Sequence, residues 1–249
     1  MDESKFYYFK EDQELHRFKI ARDDEPLNPR EDWDGNIGTL NLWWNRYSLG
    51  DNKGKGDADE MLSEIIRQNV PEDKWTDEAL DYDMTRNEKM VLLQSYILLL
   101  PCFIYEHGGL TISCSDSGYP FNDRWDSGCA GFIYTTKEKC KEQWGKAEDD
   151  WKERACKELV DEIKCYDMYL QDECYGFKEE KYNEETDEWD EVESAWGFLT
   201  DKWGDELVEF FRSELTNEPL ISKDEALELA RQMHEEYEVM DQANTLVAI

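Results

Sequence analysis

The chain has 249 residues and carries 61 Asp and Glu against 28 Lys and Arg, a formal charge of −33. A charge of that sign excludes a conventional nucleic-acid binder, which needs a basic footprint, and disfavours an anionic membrane surface as partner. Ten Trp, thirteen Tyr and ten Phe supply enough core material to exclude disorder throughout, and the length permits a sizeable core without disulfides or a metal.

Along the chain, Phe6–Phe9 and Leu15–Ile20 read as short strands around a charged turn. Residues 23–34 hold Pro26, Asn28 and Pro29 and read as a loop. A strand is expected over Ile37–Trp44, a polar loop over Gly50–Asp59, and a short helix over Asp59–Gln68 with Met61, Leu62, Ile65 and Ile66 at helical spacing. Thr85–Leu99 is read as a buried helix stopped by Pro101. Cys102–Tyr105 and Leu110–Cys114 then form a hairpin around Gly108 and Gly109.

After a loop at Ser115–Asp126, a strand is expected over Ala130–Thr135 and a short helix over Thr136–Gly145, closed by its glycine. The clearest helix is Asp150–Gln171, with Cys156, Leu159, Val160, Ile163, Tyr166 and Leu170 on one face. Tyr175–Tyr182 and Trp189–Phe198 read as strands joined by a turn at Asn183–Asp187. A helix follows over Asp201–Ser213, and Ser222 with Glu225 marks the start of a last helix. Hairpins dominate without regular βαβ alternation, so the expected fold is α+β: a mainly antiparallel sheet packed with several helices. The break near Asn217 and Pro219 divides the chain into a domain over 1–216 and a C-terminal helical appendage over 217–249.

No secretory signal is read in Met1–Lys10, and the longest apolar run, Val91–Tyr105, is shorter than the roughly 20 residues of a membrane span. The seven cysteines include no CxxC pair, which leaves no support for a zinc ribbon or a thioredoxin-like motif. They are read as small apolar residues in a reducing cytoplasm. A salt-adapted cell would also explain the acidity, but 18 Lys against 10 Arg fit that poorly.

Two regions are candidates for function. The first surrounds His107, flanked by Glu106 and followed by Asp116, Asp123 and Asp126. One His among carboxylates suits a divalent ion or acid/base chemistry, so a small metal-assisted hydrolase is one reading. Cys129 as a nucleophile activated by His107 is a weaker one. Turn chemistry explains the same residues without any activity. No Gly-rich phosphate loop is present, and lysines where ligands would be needed exclude a calcium loop at Asp51–Glu60.

The second region is the acidic hairpin. Between Glu179 and Ser194 nine of sixteen residues are acidic and one is basic. Charge alone keeps a small domain soluble at a magnitude of roughly 2 to 8, so −33 asks for more. A rigid array of carboxylates presents a field that attracts a basic cleft.

Several segments carry a family likeness: Ile37-Gly-Thr-Leu with Arg46-Tyr-Ser-Leu-Gly-Asp51, Leu100 to Ile112, Trp125-Asp-Ser-Gly-Cys-Ala-Gly-Phe-Ile-Tyr134, Tyr166 to Leu170, Tyr175-Gly-Phe177 and Ser194-Ala-Trp-Gly-Phe198. Over residues 36–200 the chain resembles uncharacterised acidic proteins encoded by phages and mobile elements of bacteria. The family's Asp-His-Ser-Gly is here Glu106-His107-Gly108-Gly109, which argues against a serine nucleophile. The resemblance implies no established activity. It implies a mobile-element setting, in which small acidic proteins antagonise host defence enzymes by imitating nucleic acid.

The leading expectation is therefore a non-enzymatic inhibitor without a cofactor. Its partner would be a basic nucleic-acid-binding protein of the host, a restriction or CRISPR-type effector. The contact residues would be Glu184, Glu185, Asp187, Glu188, Asp190 and Glu191, helped by the acidic last helix. Trp125, Phe132 and Tyr134 would then be buried architecture, with Gly128 or Gly131 in a backbone conformation closed to other residues. A scaffold docking through the last helix is a third option.

Overall fold

The computed structural model describes residues 5–44, 47–53, 57–115, 118–123 and 125–247, with side chains described for all of these except 52, 53 and 244–247. The elements in chain order are β1 (Phe6–Glu11), β2 (Glu14–Arg22), β3 (Thr39–Leu42), β4 (Asn52–Lys53), α1 (Ala58–Asn69), α2 (Arg86–Gln94), β5 (Leu98–Glu106), β6 (Leu110–Cys114), β7 (Ser127–Thr135), α3 (Lys137–Trp144), α4 (Trp151–Leu170), β8 (Cys174–Asn183), β9 (Glu188–Leu199), α5 (Gly204–Leu215) and α6 (Lys223–Val247). Helices take 40% of the chain and strands 28%. The two kinds are grouped rather than alternating, so the fold is α+β as the hairpin pattern implies.

The chain forms two compact units, Met1–Pro26 with Asp172–Ile249, and Leu27–Gln171. This division differs from the expected one at 216/217. The first unit joins the two ends of the chain because β2 pairs with β8. Helix α6 belongs to it: Ala226 and Ala230 are buried with Tyr8, Leu15 and Tyr182, and Ile221 N–H donates to Tyr8 O at 2.8 Å.

In that first unit the strand order is β1-β2-β8-β9, antiparallel throughout. Alternation along the strands sends Phe9, Phe18, Ile20 and Phe177 into a cluster with Leu207 and Phe211 of α5. The opposite set, Tyr8, Leu15 and Tyr182, packs against α6. The β1–β2 turn places Asp12 (φ 47°) and Gln13 (φ 73°) in the left-handed region, the geometry of a two-residue hairpin turn. Helix α6 begins as the Ser222/Glu225 signature predicts, with Glu225 N–H donating to Ser222 Oγ at 3.2 Å.

In the second unit the order is β4-β3-β7-β5-β6, antiparallel except for the β3–β4 pair. One face carries Leu40, Leu100, Ile104 and Ile133 against Leu159 and Ile163 of α4. The other carries Leu99, Phe132 and Tyr134 against Leu62 and Ile65 of α1 and Leu93 of α2.

The expected helix over Thr85–Leu99 is shorter and partly exposed. It ends at Gln94, Val91 is 65% exposed, and Leu98–Glu106 is a strand that contains Pro101. A run of apolar residues buried on both faces of a sheet cannot be told from a buried helix by periodicity. The strand tolerates proline because Pro101 lies just past the β6 ladder, which starts at Cys102 opposite Cys114; its carbonyl accepts from Ser115 N–H at 3.3 Å. The missing N–H faces that same side, beyond the end of β6 at Cys114.

Gly131 is constrained by contact rather than by its backbone angle. Neither it nor Gly128 has a positive φ. A Cβ on Gly131 would collide with Asn41 O and the Leu42 side chain of the neighbouring strand β3.

Candidate functional site

The acidic hairpin is a stiff stem with a charged tip. At the stem, Arg17 Nη2 pairs with Glu180 Oε2 at 2.5 Å, and its guanidinium stacks on Phe6 at 4.1 Å and on Trp189 at 4.2 Å. Trp189 also packs on Tyr182 with ring centroids 5.4 Å apart. Such cation–π and aromatic contacts hold the stem at one orientation. His16 Nδ1 and Glu179 Oε1 meet at 2.7 Å and are both buried, so Glu179 is structural and unavailable to a partner.

At the tip, Asn183 Oδ1 accepts from the backbone N–H of Glu185 at 3.0 Å and of Thr186 at 3.3 Å, an Asx arrangement that fixes the turn. Tyr182 OH donates to Asp187 Oδ1 at 2.7 Å, Asn183 Nδ2 to Asp190 Oδ2 at 2.8 Å, and His234 of α6 meets Glu184 O at 2.7 Å. The six carboxylates expected to contact a partner, Glu184, Glu185, Asp187, Glu188, Asp190 and Glu191, are all exposed. Glu191 is ion-paired with Lys178 at 2.7 Å, and that hydrogen bond holds its carboxyl below the usual range. The bonds to Asp187 and Asp190 come from neutral groups.

The His107 region is brought together only in part. His107 Nδ1 lies 2.8 Å from Asp126 Oδ2, with side chains 71% and 40% exposed. The carboxylate of Glu106 accepts from Trp44 Nε1 and Tyr47 OH, each at 3.3 Å. Asp123 Oδ1 accepts from Trp125 N–H at 2.8 Å and serves the turn. Asp116 lies outside the described residues. Among the described residues no group of three or more His, Cys, Asp or Glu side chains could hold a metal ion. Of the residues named for the metal-assisted hydrolase reading, those described give an exposed His107–Asp126 pair.

The surroundings of Cys129 do not activate its thiol. Partial burial pushes its thiol up from its ordinary value, whereas an activated thiolate needs the opposite shift. It pairs across the sheet with Phe103, four residues before His107, or roughly 13 Å along a strand. Trp125 is 95% exposed, contrary to the expectation of a buried residue, because it sits on the loop before β7 begins; Phe132 at 2% and Tyr134 at 6% are buried as expected.

A buried ionic cluster in the second unit carried no recognisable sequence signal as a cluster. Arg30 Nε and Nη2 grip Asp51 at 2.8 and 2.6 Å, Nη1 reaches Glu162 Oε2 at 2.6 Å, and Nη2 also donates to Gly38 O at 3.0 Å. Glu162 Oε1 accepts from Ile37 N–H and Gly38 N–H at 2.6 and 3.0 Å. Burial opposes the charge on Arg30, but Asp51 and Glu162 outweigh it and raise its pKa. The same burial lowers the pKa of neighbouring Lys139, whose Nζ donates to Gly38 O at 3.1 Å. Leu40 N–H also donates to Asp51 Oδ2 at 2.8 Å, so Ile37, Gly38, Leu40 and Asp51 all take part in this clamp between α4 and β3.

No protein-family model, curated protein or solved structure matches the chain. Among the described residues no helix is long and apolar enough to cross a membrane.

Proposed function

We propose that the protein is a non-enzymatic inhibitor of phage or mobile-element origin, an acidic imitation of nucleic acid that occupies the basic cleft of a host nucleic-acid enzyme such as a restriction or CRISPR-type effector. The observation that carries this reading is the hairpin tip, where six exposed carboxylates stand on a stem locked by stacking and hydrogen bonds. Between Glu188 and Glu193, four of six residues are acidic. Because strand side chains alternate, Glu188 and Asp190 share one face about 6.8 Å apart, charges set at an interval along one line as phosphates are along a DNA strand. Fixed charges lose little freedom on binding, so more of the Coulomb attraction is retained as affinity.

The test is capture of host proteins on the immobilised chain at about 0.15 M and 1 M salt, read by mass spectrometry. Screening acts over about 8 Å at the lower salt and about 3 Å at the higher. A nucleic-acid enzyme that is retained at low salt, released at high salt and competed off by DNA supports the proposal. A partner held unchanged at 1 M salt, or one indifferent to DNA, overturns it.

A further inference from the structure

The first unit contains a groove of about 600 Å³ at the end of its sheet. The β2–β8 register pairs His16 with Lys181. Continuing it brings the Asp12–Gln13 turn beside the turn that begins at Asn183, and the groove runs between them. Its rim carries Asp12, Glu14, Glu184, Glu185 and Asp190 against one ammonium, Lys181, which pairs with Glu14 at 2.5 Å. Its wall is apolar, built by Val192 of β9 and by Met233 and Tyr237 of α6. The volume is that of a ligand-sized pocket, and the hydrogen bonds at Asn183 and His234 fix its shape beforehand.

The geometry points to this groove as the seat of an arginine-bearing segment of the protein partner, a conclusion that rests on the inhibitor reading and locates its contact. The rim is complementary in charge to either Arg or Lys. The wall selects between them. A guanidinium is weakly hydrated, stacks on aromatic rings and bonds carboxylates through two nitrogens at once, whereas an ammonium is a strongly hydrated point charge. Tyr237 offers the ring, Met233 and Val192 take the aliphatic stem, and the paired carboxylates on two turns take the fork. A flat acidic surface would keep only the share of that preference that comes from the fork, and would lose the share that comes from stacking on Tyr237.

The experiment titrates the full chain with fluorescent nona-arginine and nona-lysine peptides at about 0.15 M salt, read by anisotropy. The groove requires the arginine peptide to bind at least tenfold tighter. Tyr237→Ser should remove most of that preference, and Tyr237→Phe should keep it. Val192→Ser, at a position already 54% exposed, should weaken the arginine peptide about threefold and the lysine peptide less; it guards against a Tyr237 variant that fails to fold. Equal binding of the two peptides, or a preference untouched by Tyr237→Ser and Val192→Ser, overturns the groove while charge-driven binding stands. Binding of neither peptide overturns the groove as well, and salt-sensitive, DNA-competed capture of a host enzyme then decides the inhibitor reading separately.

Discussion

Arg30 illustrates at the scale of one residue how charge is used inside this acidic protein. Its side chain is 2% exposed and holds two carboxylates that belong to distant parts of the second unit, Asp51 and Glu162. Removing one partner of a buried pair strands the others, at about 3 to 5 kcal/mol. Arg30→Met should therefore lower stability by about 3 kcal/mol, the lower end because Asp51 is 24% exposed, read as a reduced urea midpoint with unchanged slope. An unaltered midpoint would show the cluster to be idle. The cluster was not legible in the sequence because its members lie 21 and 132 positions apart, and nothing local announces a long-range ion pair. His234 gives a second, pH-dependent effect. Its hydrogen bond to Glu184 O is the main cause of a raised pKa, and Asp187, Glu238 and Glu235 add to it while burial opposes it. The folded state thus prefers the protonated ring. The stabilisation is complete below the unfolded value of about 6.5 and is lost as pH rises through the higher folded value. Thermal midpoints of the wild type and His234→Ala should differ more at pH 5 than at pH 8; an equal difference at both would contradict this.

Elements were legible where periodicity was unambiguous and illegible where burial was two-sided. The helix at Trp151–Leu170 follows the sequence pattern closely because its periodic residues share one buried face, and the hairpin at Cys174–Leu199 does so because turn residues separate its two strand-like runs. The stretch from Tyr96 to Leu100 does not, because Leu99 and Leu100 enter opposite cores of one sheet, and such a run reads equally as helix. The candidate sites divide in the same way. The exposed tip carboxylates were visible as composition, while the burial of Glu179 and the exposure of Trp125 depend on three-dimensional neighbours. Strand β7 also carries a local constraint that its sequence expressed only as a glycine. Gly131→Ala should cost about 1 to 3 kcal/mol, the range for overpacking, because its Cβ meets the β3 backbone. Gly128→Ala should be close to neutral, because its Cβ finds only the Trp44 ring, at 3.7 Å. Thermal melts of the two variants would separate the positions, and equal losses would remove the argument from close approach.

At the scale of the whole molecule the open issue is whether partner binding follows from the total charge or from where the charge is held. Replacing Glu184, Glu185, Glu188 and Glu191 by Lys changes the net charge by eight, from −33 to −25, so the long-range field keeps its sign and most of its size. The fold should survive. These side chains are exposed, and exposed substitutions usually change stability by within about 0.5 kcal/mol each; the largest local loss is the Glu191 pair with Lys178. If the rigid tip is the contact, these four reversals put like charges against a basic cleft, and inhibition of the captured enzyme should disappear although −25 remains. His107→Ala changes none of these charges and should leave inhibition within about twofold. Both variants are compared in one inhibition assay at about 0.15 M salt, after circular dichroism has confirmed the fold. Inhibition that persists in the charge reversal would assign binding to the diffuse field. A folded His107→Ala protein without activity would move the function to the His107–Asp126 pair, because no electrostatic account predicts that loss.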